Sequence, residues 1–186
     1  MHVSVRSHSG TTKSSVEADL GINTGVEYYS TGKEHITITV TPTWAYLSGS
    51  PTGLTVLMGL TPTQQKKVGT KSIVMKKGTA PYKAFLRNLT VGSFSNMLPA
   101  SKGTVFVTTT TNGQSAYELT WKSVATTSTP KVKSVLLLSA GKKTLPISET
   151  ITSSTGGGTT TFTHWGEKVN VTIPANLIPY ASVLGG

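Results

Sequence analysis

Apolar residues alternate with threonine, serine and charge along most of this chain, and no stretch sustains them at helical spacing. In residues 35–41, HITITVT, Ile36, Ile38 and Val40 fall on one face and Thr37, Thr39 and Thr41 on the other. That two-residue period predicts a strand with one buried and one wetted face. Pro42 closes it, residues 44–47 continue briefly, and 48–53 form a Ser/Gly/Pro turn cluster. Residues 54–60, LTVLMGL, lack alternation and predict a fully buried strand that ends before Pro62; residues 61–65 follow as a helical turn or loop. Residues 16–29 predict one or two strands broken at Gly21 and Gly25. Further strands are expected over 72–75, 82–91, 104–111, 114–124, 131–139, 144–153, 159–163 and 167–173.

The clearest local signal is Asn112-Gly113 between two such segments, because both residues tolerate the positive φ of a two-residue type I′ turn. That turn places Phe106 opposite Leu119, Thr108 opposite Tyr117 and Thr104 opposite Trp121. Eight to ten strands with evenly spaced turns predict an all-β protein. The expected arrangement is an antiparallel β-sandwich, as a single jelly roll, over residues 16–186. Residues 1–15 are expected to be an N-terminal arm or edge segment.

A chain of 186 residues with 36% hydrophobic content can bury a two-layer core. It has no cysteine, hence no disulfide framework and no thiol nucleophile. No run of about 18 apolar residues predicts a transmembrane helix, and the opening MHVSVRSHSGTTKSS lacks the apolar core of a secretory signal.

Charge changes the picture most. The net charge is +10, and it is segregated. Residues 66–143 carry thirteen Lys or Arg against Glu118 alone, whereas the segments on either side are each slightly acidic. The band 66–87 holds Lys66, Lys67, Lys71, Lys76, Lys77, Lys83 and Arg87, interleaved with Ile73, Val74, Met75, Tyr82 and Phe85. Such interleaving mounts the cations on folded structure, and Lys131, Lys133, Lys142 and Lys143 are expected to extend the same patch. A field of this sign attracts phosphate backbones with little sequence selectivity, so these eleven residues are the candidate nucleic-acid-binding set.

The chemistry of catalysis is sparse. There is one Asp (Asp19) and there are six Glu, with no GxSxG turn and no phosphate-cradling glycine motif. Glu149 with Glu167 is a conceivable carboxylate pair, but nothing in the spacing points to it. His2, His8, His35 and His164 are scattered, without the convergence that zinc requires. No catalytic residue, metal or cofactor is expected. The uncharged C-terminal stretch, 173–186, favours burial against the sheet or a neighbour, which fits self-assembly. Among Trp44, Trp121 and Trp165, only Trp165 is expected to expose a ring, the minimum for a carbohydrate platform.

Residues 36–42 (ITITVTP), the turn at 48–53 and residues 54–62 (LTVLMGLTP) resemble the single jelly-roll coat proteins of small icosahedral RNA viruses, tymovirus-like plant viruses in particular. The resemblance implies a shell of many copies enclosing RNA, with basic residues facing inward. Those coats often carry an arginine-rich N-terminal arm, whereas residues 1–15 hold only Arg6 and Lys13. The expectation is therefore a capsid protein of the virion, passing through the host cytoplasm during assembly. It would form a large homo-oligomer and bind genomic RNA through the folded basic band, without membrane insertion or a small-molecule substrate. The alternative is an extracellular adhesin, a pilin-like subunit or a phage tail or fibre subunit.

Overall fold

The computed structural model describes residues 1–92, 104–122 and 131–185. In chain order the described elements are β1 (His2–Ser9), β2 (Thr12–Leu20), β3 (Gly25–Thr31), β4 (Glu34–Val40), β5 (Trp44–Gly49), α1 (Pro51–Met58), α2 (Pro62–Val68), β6 (Ser72–Lys76), α3 (Ala80–Asn88), β7 (Val105–Thr111), β8 (Gln114–Lys122), β9 (Val132–Ser139), β10 (Pro146–Ser153), β11 (Gly156–Thr163), β12 (Leu177–Pro179) and α4 (Tyr180–Leu184). The expected β class holds. The jelly roll is corrected: the strands form one hydrogen-bonded sheet, in the order β12-β6-β5-β4-β3-β2-β1-β11-β10-β9-β8-β7. The sheet is open, because β12 and β7 each have a single neighbour among the described strands, and mixed, because β12 pairs with β6 in parallel. Alternation reports that a strand has one buried face; it does not say whether helices or a second sheet cover it.

Cross-strand partners define the two faces. One carries Val3, Ala18, Ile36, Ile38, Val40, Leu47, Ile73, Met75 and Ile178, which join Leu54, Val68, Tyr82, Phe85, Leu89 and Val183 of the helical segments in a single core cluster. The other is rich in hydroxyls, among them Ser4, Ser15, Ser30, Thr37, Thr159 and Thr161. Packing of the helices is uneven. Helices α1, α3 and α4 lie against β4, β5, β6 and β12, and α2 packs on α1 and α4; among the described residues no helix packs comparably on β7 to β11.

Residues 1–15 are neither an arm nor an edge. β1 lies inside the sheet, paired along its whole length with β2 and β11. The Met1 ammonium donates to the Leu20 carbonyl at 3.1 Å, and Met1 itself is buried.

Two expected strands are helices, because a proline that suits a break between strands also suits the first turn of a helix. Residues 54–58 belong to α1, which starts at the N-cap Ser50 with Pro51 in its first turn and ends at the left-handed Gly59. Thr61 and Gln64 form a capping box that begins α2, again with Pro62 following. The expected strand 82–91 is α3, whose buried and half-buried side chains, Tyr82, Phe85, Leu86 and Leu89, recur at i, i+3, i+4 and i+7.

Residues 167–173 make no strand, although their alternation is real: Val169 and Val171 are half-buried, and Lys168, Asn170 and Thr172 are exposed. Residues 164–176 connect β11 to β12 past β1 to β6, so the period reflects an extended segment with one side toward the protein. The hairpin at Asn112-Gly113 has the expected register, with Phe106 opposite Leu119 and Thr108 opposite Tyr117, and both turn residues have positive φ. Residues 123–124 of the expected strand 114–124 lie outside the described residues.

Candidate ligand-binding face

The helix-bearing face of the sheet does not stop where the helices stop. Following the register from Val3 through Phe162, Glu149 lies opposite Thr160 and Leu136, Leu119 opposite Leu136, and Phe106 opposite Leu119. Tyr117, Trp121, Leu138 and Ile151 lie on this same face. Phe106 is 58% exposed and Ile151 39%, whereas Tyr117, Leu119, Trp121 and Leu138 are half-buried. The Phe106 and Tyr117 rings stack at a tilt, 5.1 Å apart. The result is a contiguous apolar floor on β7 to β10 that the described helices leave free, in a class of surface that soluble proteins seldom leave unused.

At the Met1–Leu20 end of this face, a cleft of about 550 Å³ is lined by Met1, Leu20, Val91, Trp165 and Val169. That volume suits a small apolar ligand. Trp165 joins the cleft to the floor: its indole N–H donates to the Pro146 carbonyl at 3.1 Å, and its ring lies 6.4 Å from that of Phe162. Trp165 is therefore a half-buried anchor, not the exposed sugar platform expected.

The charged side chains on the helix-bearing face of the described strands, Glu27, Glu34 and Glu149, are all carboxylates. No Lys, Arg or His lies on this face of the described strands; His2, Arg6, His8, Lys13, Lys76, Lys122 and Lys133 all alternate onto the other. Glu27, on β3 opposite Ala18 and Ile38, and Glu149, on β10, both lie on it. Burial pushes both carboxyls above the usual carboxylate range, because desolvation penalises the charged form. Glu149 is only 6% exposed.

The sign of the linkage follows. A carboxyl whose pKa is raised in the folded state binds its proton more tightly there than in the unfolded chain. Its contribution is most favourable in acid, declines as pH rises from the ordinary carboxylate range through the raised value, and leaves a penalty at neutral pH. Glu149→Gln is therefore expected to stabilise the protein at pH 7.5, because the amide keeps the shape of the side chain without its desolvated charge. The melting temperature should rise by several degrees, with the gain shrinking as pH falls through the carboxylate range. Thermal melts across that range check this; a gain that persists or widens in acid contradicts it.

The opposite face carries the ion pairs. Arg6 Nη2 lies 2.6 Å from Glu17 Oε1, and His2 contacts Asp19 at 2.8 Å and Glu17 at 3.3 Å. His164 meets the His2 ring edge-on at 5.9 Å. No group of three or more ligating side chains with metal-binding geometry is found among the described residues.

The basic residues are placed differently from expectation. Lys66 and Lys67 end α2, Lys71 and Lys77 flank β6, Lys76 ends it, and Lys83 and Arg87 lie on the exposed side of α3. Lys131 precedes β9, Lys133 points to the hydroxyl-rich face opposite Lys122, and Lys142 and Lys143 lie in the β9–β10 turn. All eleven are exposed, and none forms an ion pair among the described residues. They make two groups rather than one patch, since β5, β4, β3, β2, β1, β11 and β10 separate β6 from β9. Lys66, Lys67 and Arg87 also have a local role, as cations in the last turns of α2 and α3, where the helix dipole favours them.

No protein-family model matches this chain, and no curated protein matches it. Solved structures do. LprF from Mycobacterium bovis is similar with a TM-score of 0.50 at 14% sequence identity, over 94% of this chain and 90% of that one. The lipoprotein LppX from Mycobacterium tuberculosis is similar with a TM-score of 0.43 at 11% identity, over 92% of this chain and 88% of that one. The likeness to LprF is one of fold.

That fold overturns the coat-protein resemblance and what it implied. The fold shared with LprF is that of a mycobacterial protein, and the strands here form one open sheet and not a jelly roll, so a capsid subunit, a virion location, an RNA partner and a large shell lose their support. The adhesin, pilin-like or tail-fibre alternative goes with them. The stretches that carried the resemblance are β4 and α1; only the first is a strand.

Proposed function

We propose that this protein is a non-catalytic binding or carrier protein for an apolar or amphipathic molecule of the lipid class, held on the helix-bearing face of the sheet. The observation that carries the reading is the apolar floor on β7 to β10, where Phe106, Tyr117, Leu119, Trp121, Leu138 and Ile151 continue the core face beyond the helices. Water cannot hydrogen-bond to the hydrocarbon surface of these side chains, and an apolar chain laid on it gains about 25 cal/mol for each Å² removed from water. The cleft beside Trp165 gives the floor a bounded end. The fold shared with LprF is compatible with this reading.

The neutral apolar dye N-phenyl-1-naphthylamine is expected to bind with a blue-shifted, enhanced emission. Phe106→Asp should weaken that binding about tenfold, since roughly 1.4 kcal/mol of apolar contact is exchanged for a charge. Val107→Asp serves as control: Val107 is a neighbour on the same strand, exposed on the opposite face, and should leave binding unchanged. Absence of dye binding, or equal loss from both variants, contradicts the reading.

A further inference from the structure

Of the five buried polar residues described, Thr39, Ser72, Ser134, Glu149 and Thr160, three converge on the helix-bearing face: Ser134 on β9, Glu149 on β10 and Thr160 on β11. Their strands are adjacent. Glu149 lies directly opposite Thr160, and Ser134 is two residues from Leu136, which is opposite Glu149 on the other side. The three are 6%, 6% and 7% exposed. Among the described residues none of the three side chains has a hydrogen-bond partner, and none is among those with further contacts. Yet no sealed side-chain N or O lacks a partner, so the polar atoms of these three still reach accessible space. Poorly solvated polar groups set in an apolar surface are seldom kept without use. Here they form a polar notch in the apolar floor, bordered by Leu136, Ile151 and Phe162.

We infer that this notch holds the head group of an amphiphile that donates hydrogen bonds, a protonated amine above all, and discriminates against one that ends in a carboxylate. The inference rests on the reading of the face as a lipid-class binding site. Two hydroxyls and a carboxyl supply acceptors in excess, with no cation on this face of the described strands to meet an anion. A cationic donor would form a charge-assisted hydrogen bond with Glu149, the strong type in a poorly solvated place. The protein's overall charge of +10 would favour anions, but the lysines of the described strands lie on the opposite face, and at 0.15 M salt their field is screened beyond about 8 Å.

The experiment is displacement of N-phenyl-1-naphthylamine by dodecylamine, 1-dodecanol and dodecanoate, all below their aggregation limits, at pH 7.5 and 0.15 M salt. Dodecylamine is expected to displace the dye at concentrations at least about tenfold lower than dodecanoate, with 1-dodecanol between them. In Glu149→Gln the amine-to-carboxylate ratio should fall to near one while dye affinity is kept. Ser134→Ala with Thr160→Val should weaken the amine and the alcohol but not the dye. If dodecanoate displaces as well as dodecylamine, or the ratio survives in Glu149→Gln, the head-group assignment is overturned and the apolar site stands. If the dye does not bind at all, both are overturned.

Discussion

Deleting residues 2–9 is expected to abolish cooperative folding. β1 is not a terminal appendage: its eight residues pair with β11 on one side and β2 on the other. Without it the sheet falls into two pieces, β12 to β2 and β11 to β7, each with a new unpaired edge. The core also loses Val3, 9% exposed and packed in the cluster with Ala18 and Phe162. Loss of the Arg6–Glu17 and His2–Asp19 pairs adds little, because both are partly exposed. The deleted chain should show no thermal transition by circular dichroism and should precipitate through its exposed edges. A mobile arm would instead come away with the melting temperature unchanged, and that outcome would contradict the sheet order.

The contrast shows where sequence patterns inform and where they do not. Strand positions were accessible, because the two-residue period in β4 and the Asn112-Gly113 turn are local properties that survive any topology. The helices carry local signals too. Ser50-Pro51 and Thr61-Pro62 have the form of an N-cap followed by a first-turn proline, and Tyr82, Phe85, Leu86 and Leu89 are spaced as one helical stripe. What was not accessible was the place of β1. Its partner β11 lies more than 150 residues away, with Val3 facing Phe162, and no local signal encodes that pairing.

The candidate site follows the same division. The basic residues were the loudest feature of the sequence, yet they sit outside the apolar face, exposed and in two groups. The notch residues were quiet, although parity marks each of them. Glu149 shares its phase with Ile151, Ser134 with Leu136 and Leu138, and Thr160 with Phe162, so each is a polar residue at an apolar position of its strand. Parity says that a residue faces inward, but only the register of three strands brings the three together.

Gly25→Ala is the single substitution with the largest expected cost, and it probes how the helical layer is fixed to the sheet. Gly25 opens β3 on the helix-bearing face, opposite Leu20 and Val40. Leu89, at the C-terminal end of α3 and 1% exposed, lies directly over it. A Cβ at position 25 would collide with the Leu89 carbonyl oxygen and stand 3.2 Å from the Leu89 Cβ. The obstacle is backbone, so no side-chain rotation relieves it, and α3 must move off the sheet. Gly25 has no left-handed φ, so the demand is for space and not for conformation. Displacing α3 also strains the bond from the Val91 amide to the Gly21 carbonyl and the packing of Tyr82, whose hydroxyl donates to the Thr41 carbonyl at 3.0 Å. Overpacking of this kind costs about 3 kcal/mol, which for a chain of this length lowers the melting temperature by about 6–12 °C. Gly141→Ala provides the comparison, since a Cβ there meets only the Lys143 carbonyl oxygen at 3.9 Å and φ is ordinary. It should change the melting temperature by no more than a degree or two, in the stabilising direction if at all, by restricting the unfolded chain. Equal effects from the two substitutions would mean that α3 is not seated on the start of β3.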